Sequence, residues 1–158
     1  MARVQIKNQQ KMPIDRLLLR RTVNLILAHA LESAKPEVSI LLLDDTGMTE
    51  LNQQYRGRSG PTDVLSFPMY TEEELRQVQP EVLGDVVISV ETAARQAESV
   101  GCALWEEMTR LLIHGVLHLL GFDHERSASD GRAMRTRERK ILAALLEDER
   151  IADEIRQL

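Results

Sequence analysis

The sequence predicts an α+β fold, one domain over residues 1–158 with about four strands and five to six helices. Three observations predict it. A chain of 158 residues has the size of a single domain and can bury roughly two thirds of its unfolded surface without disulfides. Its composition, 43% hydrophobic and 28% charged, is that of an ordinary globular protein. Short apolar or alternating runs recur between segments whose apolar residues fall at helical spacing.

"RVQIK" (3–7) alternates polar and apolar residues and reads as a first strand. Pro13 and Asp15 open an amphipathic helix to about Ser33, with Leu17, Val23, Leu27 and Leu31 on its inner side. Lys35-Pro36 breaks it. "EVSILLLDD" (37–45) is apolar and short enough for a buried strand. A short helix from about Met48 to Tyr55 stops at Gly57. "SGPTDVLSFP" (59–68) holds a strand of about five residues between two prolines. Proline cannot donate to a ladder, so this strand belongs at a sheet edge, with its backbone available.

"TEEELRQVQPE" (71–81) is a charged loop or short helix, and "LGDVVIS" (83–89) is another strand. Glu91 to Val100 forms a helix closed by Gly101. The helix from about Leu104 to Leu120 is polar early and nearly all apolar from Leu111 onward, which places it in the core. A last helix runs from about Arg132 to Leu146 and beyond, with a frayed, charged tail.

The bulk numbers exclude several functions. A net charge of −5 argues against a general nucleic-acid coat protein. Five aromatic residues (Tyr55, Phe67, Tyr70, Trp105 and Phe122) are too few for an extended base-stacking platform. Any nucleic-acid role must come from a local site. Cys102 is the only cysteine, which fits a reducing, cytoplasmic compartment. The N-terminus shows no apolar signal region, and no window reaches about 18 consecutive apolar residues, so neither a signal peptide nor a membrane span is expected.

Three of the four histidines fall in "HGVLHLLGFDH", residues 114–124. His114 and His118 leave one helix face, one turn apart. Gly121 sits where a helix commonly ends in a left-handed turn, so the chain can double back and bring His124 to the first two. Any one of them could be an ordinary core histidine. Burying an imidazole without a partner costs about 1–3 kcal/mol, however, and three in the most apolar stretch multiply that cost unless something joins them. A metal ion at the end of the buried helix does so. Ligation by nitrogen without cysteine suits zinc, while imidazole also accepts nickel, copper or iron. Three protein ligands leave a fourth position open, as at a catalytic zinc, where a bound water's pKa can fall to about 7.

The spacing equals that of the metzincin proteases, H-E-x-x-H-x-x-G-x-x-H, except that Gly115 stands where those enzymes carry their glutamate base. A peptidase is therefore the weaker reading. Met134 lies downstream, either beneath the metal or as plain core. A second cluster, "LNQQYRGRSGPTDVLSFP" (51–68), places Arg56 at a helix end before the proline-bounded strand. Alone, Arg56 reads as a surface cation. Beside an open metal position, its fork of donors suits a phosphoryl transition state. Thr62, Asp63 and Ser66 read either as substrate contacts or as turn and edge-strand residues. The basic runs "RAMRTRERK" (132–140) and "DRLLLRR" (15–21) read first as exposed helix faces, and second as contacts to backbone phosphates.

"HGVLHLLGFDH", with "LNQQYRG…PTDVLSFP" and "LGDVVIS" in that order, resembles the bacterial YbeY family of metal-dependent endoribonucleases. The resemblance is strong over residues 41–124. It implies a small mixed sheet packed with helices, zinc on His114, His118 and His124, and Arg56 as the functional arginine. It also implies ribosomal RNA precursors as substrate, including 16S 3′ end maturation and ribosome quality control. The small ribosomal subunit and its proteins are then partners; neither membrane nor DNA is expected. Phe122 stands where the commonest form of the motif has tyrosine, a change that removes a hydroxyl and no ligand. Two other readings stand beside the nuclease: a zinc peptidase or amidase, and a ribosome-assembly factor whose zinc is structural.

Overall fold

The computed structural model describes residues 3–31, 36–123, 125–149 and 151. Among them lie four strands, β1 (Val4–Gln9), β2 (Glu37–Leu43), β3 (Val64–Pro68) and β4 (Val82–Ser89). Six helices accompany them: α1 (Arg16–Ala30), α2 (Asp45–Arg56), α3 (Glu72–Gln77), α4 (Val90–Val100), α5 (Leu104–Leu119) and α6 (Ala128–Glu147). The α+β architecture with a mixed sheet is as expected.

The strand order is β1-β2-β4-β3. β1 and β4 flank β2 in parallel, and β3 runs antiparallel to β4. The proline-bounded strand is thus at an edge, with the five residues expected.

One face of the sheet carries the main core. Val38, Ile40, Leu42, Val86 and Ile88 pack there with buried residues of α1, α5 and α6. α5 runs through this core with Met108, Leu112, Ile113, Val116, Leu117 and Leu119 at 0–1% exposure. Glu107 enters with them, and burial pushes its carboxyl upward in pKa. A smaller cluster of Leu43, Met48, Leu65 and Val87 sits on the reverse face, under α2.

Three details differ from expectation. Leu17 is 55% exposed, while Leu18, Leu19, Val23, Ile26 and Leu27 turn inward. At 100° per residue, Leu17 and Val23 are about 120° apart around the helix and cannot share its inner centre. The α1 helix ends at Ala30, and the expected end at Ser33 lies outside the described residues. Finally, α6 starts four residues before Arg132, because Ser127 caps it by accepting from the Asp130 amide at 3.0 Å.

The start of α2 is fixed by a polar junction with α4. The Asp45 carboxylate accepts from Ser89 at 2.7 Å, Thr92 at 2.6 Å and Arg95 at 2.7 Å. The Asp45 amide donates to Glu91 at 2.8 Å. Led by the Arg95 guanidinium, these donors hold the Asp45 carboxyl down at about 2.

Candidate metal centre

The far end of α5 carries His114 and His118. Their rings stand edge to face with centroids 4.6 Å apart, at 76°. The helix then stops in a Schellman turn: Phe122 N–H reaches the Leu117 carbonyl at 3.0 Å, and Gly121 N–H the His118 carbonyl at 3.0 Å. Gly121 sits at φ +99°, a backbone conformation that favours glycine. Arg126 pins the reversal, binding Glu72 at 2.6 Å and the Gly121 carbonyl at 3.1 Å. The doubling-back expected after His118 is therefore present. His124 itself lies outside the described residues.

Among the described residues, no three His, Cys, Asp or Glu side chains gather closely enough to hold a metal. His114 and His118 still fit as two of three nitrogen donors. They line one cleft, and His114 Nδ1 lies 3.3 Å from Glu138 Oε2 of α6. A carboxylate only accepts, so this hydrogen bond calls for the proton on Nδ1 and would orient a neutral ring to ligate through Nε2. That carboxylate partner was not foreseen, because nothing in the sequence says which face of α6 meets α5.

The cleft holds about 370 Å³. The two histidines form one wall, β3 from Val64 to Pro68 another, and Tyr55, Arg56 and Glu125 complete it. Gly57, left-handed at φ 63°, caps α2 and leaves Arg56 as its last residue. Among the described residues the Arg56 guanidinium makes no hydrogen bond or ion pair. So the arginine singled out in the sequence lines the same cleft as both described histidines.

Other candidates sort themselves. Ser66 lines the cleft and donates to the Gly115 carbonyl at 3.2 Å. Thr62 and Asp63 stay out of the lining; Asp63 accepts from the Val64 amide at 2.8 Å and from Gln96 at 3.3 Å, as a turn residue does. Met134 is buried in the main core and does not line the cleft.

Gly115 also has a physical reason. A Cβ there would meet Val86 Cγ1 at 2.6 Å and Cγ2 at 3.1 Å. α5 presses this residue against the sheet, so a glutamate at the metzincin position has no room. The peptidase mechanism loses its base on steric grounds, not by sequence alone.

Comparison with known proteins shows the family. Residues 5–146 match the family described as Endoribonuclease YbeY. The Endoribonuclease YbeY of Geobacter sulfurreducens is 43% identical over 145 residues, covering 90% of this chain and 95% of the relative. That of Persephonella marina is 47% identical over 121 residues, 77% of each chain. The solution structure of a Thermotoga maritima protein superposes with a TM-score of 0.62 at 27% identity, covering 88% of this chain and 86% of that one.

Proposed function

The chain belongs to the endoribonuclease YbeY family, and on that premise we propose that it is a zinc-dependent, single-strand-specific endoribonuclease. In this reading one domain, residues 1–158, holds one zinc ion on His114, His118 and His124 and meets the scissile phosphate with Arg56. The observation that carries it is the cleft where two imidazoles of α5 face the guanidinium that ends α2. When bound, the metal supplies Lewis acidity to a phosphoryl oxygen and acidifies water.

The protein's own groups do the rest. The Arg56 fork binds non-bridging phosphate oxygens and offsets the negative charge that grows in the transition state. Glu138 holds the Nδ1 proton of His114 and so fixes the ring's orientation. Glu125 lines the same cleft and is our candidate for taking a proton from attacking water. The edge position of β3 puts its backbone along the same cleft.

In the cell we assign it to maturation of the 16S 3′ end and to ribosome quality control, in the cytoplasm. With a net charge of −5, the chain draws part of its substrate affinity from basic proteins of the small subunit. The test is cleavage of matched single-stranded and duplex RNA by zinc-loaded protein. Single strands cut, duplexes spared and cleavage abolished in Arg56→Ala support the reading; intact RNA in every sample refutes it. Products ending in 5′-phosphate and 3′-hydroxyl would assign the attack to water. A 2′,3′-cyclic phosphate would assign it to the RNA 2′-hydroxyl and remove the role given to Glu125.

A further inference from the structure

Building on the nuclease reading of the cleft, we propose that Tyr55 and the open face of the sheet beside it form a subsite for one unpaired nucleotide next to the scissile phosphate. Strand alternation creates the space. Lys7, Ser39 and Asp85 point away from the main core, with Ser39 registered against Asp85, and they line a groove of about 550 Å³. The α2 helix covers only part of this face.

The groove adjoins the metal cleft, since Tyr55 and Phe67 line both. Tyr55 is 59% exposed, yet its ring is held: Phe67 packs against it with centroids 5.0 Å apart at 68°. An oriented ring with an open surface at the lip of a polar groove is chemically suited to a base. The ring stacks on the base, and the ammonium, hydroxyl and carboxylate groups beyond it can reach base edges, ribose or phosphate.

The occupant follows from position. Tyr55 and Arg56 line the same cleft, so a nucleotide resting on Tyr55 would lie beside a phosphate held at Arg56. A base inside a duplex is stacked on both sides and cannot offer a face to the ring, whereas an unpaired base can. Composition alone speaks against a long aromatic platform. Two of the five aromatic residues, brought together here, are enough for one base.

The experiment titrates the zinc-loaded protein with a short single-stranded, cleavage-resistant RNA carrying 2-aminopurine and follows the quenching of its fluorescence. Tyr55→Phe is expected to quench and bind as the wild type does. Tyr55→Ala is expected to lose the quenching and to bind about 5- to 150-fold more weakly, the range for one base–aromatic stack. Thermal melts of the three proteins should coincide, since the side chain is largely exposed. Wild-type affinity in Tyr55→Ala, loss in Tyr55→Phe as well, or no binding by the wild type would each overturn the subsite. No cleavage is involved, so a failed nuclease assay and a failed subsite are read separately.

Discussion

Helix α2 has a charged side chain at each end, and the two are treated in opposite ways. At its start, Asp45 is gripped by Ser89, Thr92 and Arg95, and its carboxyl is held at about 2. At its end, Arg56 faces a cleft and, among the described residues, makes no hydrogen bond or ion pair. A polar cluster whose members satisfy one another holds the fold together. An exposed cation that makes no ion pair among the described residues, in a cleft shared with two histidines, is available to something that arrives from outside.

That contrast is broken most severely if Arg56 turns out to be structural. Arg56→Ala should lower kcat for RNA cleavage by about 10²- to 10³-fold, the usual cost of one transition-state donor. Its melting temperature should match the wild type's; a large fall in a thermal scan would place Arg56 with Asp45. Next in size is Glu138→Ala, which should weaken zinc binding by about 10- to 100-fold in a chelator competition. Unchanged affinity there would mean that the 3.3 Å contact to His114 orients nothing.

Asp45→Ala should show the converse behaviour. Removing the anchor is expected to cost about 2 kcal/mol, or a melting temperature lower by about 4–8 °C, with cleavage by the folded protein retained. Its pH dependence is directional. The folded pKa of about 2 lies below the ordinary 3.8, so the stabilisation is complete above about pH 4 and is lost as pH falls towards 2. Melts of the wild type and the variant should converge over that window. The smallest effect belongs to Arg126→Ala. Its ion pair with Glu72 joins side chains 46% and 40% exposed, so only a slight fall in melting temperature is expected.

The sequence made some of this legible and hid the rest for definite reasons. Helical spacing alone placed His114 and His118 on one face. Gly121 marked the turn, and two prolines marked β3 as an edge strand. These are local rules, and the structure follows them. Glu138 and Tyr55 were not legible, since each acquires its role from a contact between distant elements: α6 against α5, and α2 against the reverse face of the sheet. Gly115 is intermediate. The sequence showed that a glutamate was missing, whereas only the packing on Val86 shows why none could fit. Leu17 failed because three consecutive leucines, 17 to 19, leave the inner face of α1 ambiguous by one position.

The central claim is that the histidines at the end of α5 hold a metal. Elemental analysis of protein purified without chelators, beside its His118→Ala variant, tests it directly. The account predicts about one zinc ion per chain in the wild type and little or none in the variant. Equal metal in both, or none in either, would contradict it and return His114 and His118 to the role of core residues.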